Sequence, residues 1–190
     1  MVDLNKLAAE IHEAAVKKGF WSVEDAEEKH LAKMISELGE VVQADRAGIM
    51  YEIERDGAKP EGVVAELADF VMMVIDLVVN KRSNDMLFGE RMPRTNIPDY
   101  KSMHAYELVC RLNEFVVTLS HILEKDTIEW LIAREGIKGQ TGELIRGMIW
   151  DAIDDVDDWI HVRGYDLWKC IREKMEYNER DRAYLHGRLY

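Results

Sequence analysis

The sequence predicts an all-α protein, on three observations. Apolar residues recur at helical spacing along most of its 190 residues, and no segment sustains the period-two alternation of a strand. Only three prolines and 12 glycines interrupt the chain, and they gather in a few places. At 47% hydrophobic residues the composition is that of a folding chain, and its length allows a full core without disulfides.

Leu4, Leu7, Ala8 and Ile11 place a first helix up to Gly19. Ser22 with Asp25 resembles a capping box, which opens a second helix running to about Arg55. Its apolar stripe is Leu31, Met34, Ile35, Leu38, Val41 and Val42, with Glu37 at the edge. Gly39 in mid-helix suggests a close approach by another group. Gly57, Pro60 and Gly62 make a turn, and a third helix follows to about Lys81. Residues 83–99 read as an irregular connection. Helices follow near 102–125 and 127–135, then a glycine-bearing loop at 136–142. A helix to about Val162, a turn at Gly164 and a last helix to about Arg180 complete the order.

The third helix carries the first sign of chemistry. From Gly62 to Val79, 14 of 18 residues are apolar and they surround the axis, as in a helix buried on most sides. Yet Glu66, Asp69, Met73, Asp76 and Asn80 share one narrow sector. Buried carboxylates must be protonated, paired or metal-bound. The second helix adds Glu37 and Glu40, one turn apart. Four such oxygen donors on facing helices suit Mg²⁺ or Mn²⁺ and not zinc.

Charge and composition narrow the partners. Twenty-five basic against 37 acidic residues give a net charge of −12, which disfavours nucleic-acid polymers and anionic membranes. Cys110 and Cys170 fit no disulfide framework or zinc spacing. The opening residues hold no apolar signal core, and Glu66, Asp69 and Asp76 argue against the third helix as a membrane span. These features read as a soluble, cytoplasmic protein.

The pairing of Glu37-x-x-Glu40 with Glu66-x-x-Asp69 resembles the all-α nucleoside triphosphate pyrophosphohydrolases. This is the MazG-like family, with its dimeric dUTPases and dCTP pyrophosphatases. The lead-in from His12 through Trp21 and on to Lys29–Glu37 is similar, as is Lys174-Met-Glu-Tyr-Asn178 with the arginines and His186-Gly187 behind it. The resemblance implies a helical bundle and hydrolysis of a nucleoside triphosphate to monophosphate and pyrophosphate. It implies Mg²⁺, or Mn²⁺, on Glu37, Glu40, Glu66 and Asp69, with Glu37 orienting or deprotonating the attacking water. Lys174, Asn178 and an arginine, Arg182 or its neighbour Arg180, would hold phosphates. His12, Trp21 and Met73 would line the base pocket, with a hint of a pyrimidine deoxynucleotide.

The spacing departs from the family in one respect: Lys174 follows Asp69 by about a hundred residues. Asp151 precedes Lys174 by some two dozen residues, as the simple family members require of their second acidic motif. Asp69 and Asp76 match Asp151 and Asp158 in spacing, and Arg111-x-x-Glu114 resembles a decayed Glu37-x-x-Glu40. The chain therefore reads as one domain over 1–190 with a degenerate internal duplication. The metal motifs lie in 1–82, and 100–190 keeps the phosphate-binding tail. Met148 replaces the first acid of the second copy, so a second complete site is not expected, and Asp151, Asp154, Asp155, Asp157 and Asp158 read as a solvated or relic acidic face opposite Ile149, Ile153, Val156 and Ile160. Glu27-x-x-His30 and Asp158-x-x-His161 admit a di-iron bundle as a minor alternative. Another is a non-catalytic nucleotide-binding or interaction protein. An all-round apolar third helix also suggests a homodimer, in which a second copy covers it.

Overall fold

The computed structural model describes residues 3–21, 26–53, 58–81, 94, 97–123 and 138–181, and bears out the all-α class. Six helices fall within them: α1 (Leu4–Lys17), α2 (Ala26–Ala47), α3 (Val63–Lys81), α4 (Ala105–Leu123), α5 (Lys138–His161) and α6 (Leu167–Asp181). Among the described residues the only strand-like pairing is an isolated bridge between Glu52 and Glu61. The Ser22–Asp25 capping box and the 127–135 helix lie outside the described residues. So does Arg182.

Helix α3 is the axis of the molecule. It packs against α1, α2, α5 and α6, while α2 also packs on α4. Val63, Leu67, Phe70, Val71, Val74 and Ile75 are all fully buried, which is what an apolar girth predicts. One chain's own helices achieve this, so the need for a second copy to cover α3 disappears.

Two boundaries differ from expectation. Helix α2 stops at Ala47 and not near Arg55, because Gly48 takes φ +73° and lets Ile49 N–H bond the Ala44 carbonyl. Helix α5 begins at Lys138, so Gly139 and Gly142 lie within helix and not in a loop. The stripe on α2 is also rotated from the expected one. Ile35 is 49% exposed, while His30, Met34, Glu37, Leu38 and Val41 face inward.

The short link from α2 to α3 is pinned by backbone. Val63 and Val64 N–H groups bond the carbonyls of Ile49 and Met50 at 3.0 Å each. Gly62, at φ +103°, lies so close to this strap that a Cβ would meet Ile49 O and Met50 C at 2.9 Å. Glycine is required here. Gly39, by contrast, has nothing within 4 Å of a built Cβ, so the close approach expected there is absent.

Candidate metal centre

The Gly62 strap sets the first turn of α3 beside the middle of α2. Glu66 therefore meets Glu37 and Glu40, with carboxylate oxygens of all three within 4.8 Å of one another. Glu37 and Glu66 are buried and Glu40 is half-buried. Among the described residues no other group of three His, Cys, Asp or Glu side chains is gathered in this way. The di-iron alternative finds no such grouping: His30 donates to the Met73 carbonyl at 2.8 Å, and Asp158 is bound by Arg94.

Asp69, the fourth expected ligand, lies one turn along α3 and is held by a cation. The Lys174 ammonium, from α6, donates to Asp69 Oδ2 and lies 3.5 Å from Glu66 Oε2. Helix α6 thus brings Lys174 to the acids across the whole sequence separation. Lys174 is only 2% exposed and pairs with neither of its neighbours Glu173 and Glu176. Lys33, one turn before Glu37, lies 2.5 Å from its carboxylate and 3.8 Å from that of Glu40. Lys33 stands in the family-like lead-in, yet its role emerges only from the geometry; its spacing of four from Glu37 is the signal that could have found it.

Burial governs the protonation of this cluster. Desolvation, assisted by the charge of Asp69, pushes Glu37 up to about 7, against the pull of Lys33. Desolvation likewise raises Glu66, and here Lys174 opposes it. For Lys174, burial works against the charge, but Asp69 and Glu66 outweigh it and hold the ammonium above its ordinary range.

The remaining sector of α3 forms a second cluster two turns on. Asp76 accepts His12 Nδ1–H at 2.7 Å and the Trp21 indole N–H at 3.2 Å. Trp21 stacks on His30 with ring centroids 4.9 Å apart. Burial raises Asp76 and lowers His30. His12 and Trp21, expected to grip a base, are thus bonded to Asp76; Met73, whose carbonyl accepts from His30, is half-buried. Asn178 is half-buried on the last turns of α6, one turn beyond Lys174.

The acidic run on α5 is solvated only in part: Asp151 is exposed and Asp157 and Asp158 are half-buried. Asp154 and Asp155 are 2% and 5% exposed. Arg111 donates twice to Asp155, at 2.9 and 3.1 Å, and Tyr100 O–H reaches the other oxygen at 2.6 Å. Arg94 joins Asp155 and Asp158. The buried part of the run departs from the solvated reading because these arginines come from other segments, which helical periodicity within α5 cannot reveal.

In comparisons with protein-family models, curated proteins and solved structures, nothing matched the chain.

Proposed function

We propose that the protein is a Mg²⁺-dependent nucleoside triphosphate pyrophosphohydrolase of the MazG-like kind, active in the cytoplasm, with Mn²⁺ as a substitute ion. The reaction is nucleoside triphosphate plus water to nucleoside monophosphate plus pyrophosphate. One observation carries the reading. Three glutamate oxygens converge within 4.8 Å between α2 and α3, and with Asp69 they outnumber the two lysines, Lys33 and Lys174, that partly neutralise them.

The donor set fits a hard divalent ion: all ligands are carboxylates, and a lysine ammonium already occupies the Asp69 side of the cluster. Glu37, Glu40, Glu66 and Asp69 would hold the ion. When bound, it would polarise the phosphoryl group and acidify a coordinated water. Glu37, buried at the edge of this cluster, would orient the attacking water or accept its proton. Lys174 and Asn178, one turn apart on α6, and Arg182 would bind phosphate oxygens and the leaving pyrophosphate. His12, Trp21 and Met73 stand near the far end of the α3 sector, where a base would lie. A pyrimidine deoxynucleotide remains the favoured substrate on the resemblance alone.

The degenerate duplication is part of the same proposal. Asp151 is 62% exposed, and Asp155 and Asp158 are neutralised by arginines. Among its described residues the second half therefore offers no competing acid cluster, in keeping with a decayed copy.

A second reading draws on the lysines. Lys33 and Lys174 already neutralise the acids in part, as they would in a non-catalytic helical protein that uses the cluster only as an ion-pair network. A panel of nucleoside triphosphates with Mg²⁺, scored for pyrophosphate, separates the two. The enzyme reading expects release from at least one triphosphate, and loss of both release and Mg²⁺ binding heat in Glu66→Gln with the fold retained. Wild-type Mg²⁺ affinity in that variant would sink the site assignment.

A further inference from the structure

Lys174 stands where its helix calls for an apolar residue. Leu167, Cys170 and Ile171 are buried at i, i+3 and i+4 on the face that α6 turns to α3, and Lys174 continues the stripe at i+7. A lysine placed there cannot keep its ammonium in water, as a surface lysine does. It is sealed at 2% exposure against Asp69 and Glu66. Lys33 neutralises the other pair, Glu37 and Glu40, but its side chain is 32% exposed and can leave into solvent freely. Each acidic pair therefore has its own lysine, and only one of the two is shut in.

An ammonium and a divalent cation compete for the same carboxylate oxygens and repel each other when close. Both cannot be satisfied by Glu66 and Asp69. We infer that Lys174 is a displaceable internal cation: it neutralises Glu66 and Asp69 until a divalent metal ion takes them, and loading frees its ammonium for an anionic group of the substrate. This rests on the metal-centre reading given above. The flexible four-carbon stem of lysine lets the ammonium move without shifting Ile171, which anchors the helix. On the face of α6 that carries Lys174, the next residues, Tyr177 and Asn178, are only half-buried, so the cover over the ammonium thins towards the end of the helix. The device imposes an order, metal first and triphosphate second, because the metal-free protein keeps its phosphate-binding cation engaged and covered.

The test is amine acylation of the full wild-type chain, read by peptide mass spectrometry, with calorimetry in parallel. Three conditions are compared: metal-free, with Mg²⁺, and with Mg²⁺ plus inorganic pyrophosphate. The exposed Lys169 serves as the internal reference. Lys174 should resist acylation without metal, label about tenfold faster or more with Mg²⁺, and become protected again by pyrophosphate. Mg²⁺ binding heat with unchanged Lys174 labelling overturns the displacement while leaving the metal centre standing. Absence of Mg²⁺ heat overturns the metal centre and the displacement together. In Lys174→Met, Mg²⁺ should bind about tenfold tighter or more, with pyrophosphate binding to the loaded protein weakened about tenfold or more; wild-type values on both counts would also overturn it.

Discussion

Burial and the neighbouring charge of Asp69 place the Glu37 carboxyl at about 7, well above its ordinary 4.5. A carboxyl raised on folding weakens the fold when ionised, so its contribution is lost as pH rises from 4.5 through 7. Glu66 and Asp76 shift in the same direction. Buried His30 is lowered from 6.5, so its protonation weakens the fold as pH falls below that value. The metal-free protein should therefore gain about 1 kcal/mol between pH 8 and pH 6.5, and below that His30 should blunt the further gain from the carboxyls. Melting curves across that range check this, and Glu37→Gln or saturating Mg²⁺ should flatten the upper limb. Lys174 makes a second case at this scale. As a solvated surface residue it would be replaceable almost without cost. Buried between two carboxylates, its loss in Lys174→Ala should cost roughly 3–5 kcal/mol, read by urea denaturation without metal. A change under 1 kcal/mol would show that the ion pairs contribute little.

At the scale of elements, the link between α2 and α3 decides whether the acids meet. Gly62→Ala forces a Cβ onto the Ile49 and Met50 backbone at a φ that favours glycine. It should shift the start of α3, weaken Mg²⁺ binding and lower the melting temperature together. Gly39→Ala meets open space within a helix, so it should stabilise by about 1 kcal/mol, with metal binding intact. Paired denaturation and calorimetry of the two variants check both outcomes. These glycines also show what a sequence can disclose. The buried α3 with its sector of acids is legible from periodicity alone, because burial on all sides and carboxylates at i and i+3 leave a direct pattern. The role of Gly62 is not, since the backbone it contacts belongs to another segment. The end of α2 at Gly48 was open to reading, as apolar spacing gives out there. Lys174 at i+7 of the α6 stripe was equally visible, but only the fold says which acids it meets.

At the scale of the whole molecule, the proposed centre draws together Glu37 and Glu40 from α2, Glu66 and Asp69 from α3, and Lys174 from α6. The chain covers α3 with α1, α2, α5 and α6. A homodimer, suggested by the apolar girth of α3, thus loses its structural motive at that helix. Activity per chain should stay constant on dilution from micromolar to nanomolar concentration, whatever light scattering gives for the mass. A fall in specific activity that tracks dissociation would show that a second copy completes the site. Among the described residues no helix is long and apolar enough to cross a membrane. The overall class was legible in the sequence, whereas the arginine network on α5 was not, because its partners Arg94 and Arg111 lie far along the chain.

The distance between Lys174 and its acids has a consequence for synthesis. The chain makes Glu37, Glu40, Glu66 and Asp69 about a hundred residues before the lysine that caps two of them. At ordinary translation rates that leaves the nascent helical pair without this counter-ion for roughly 5–20 s. Through that interval, free divalent ions are the natural substitute. An ion held at the proposed centre would thus also act as a co-translational folding aid, holding α2 and α3 together until α6 emerges and docks.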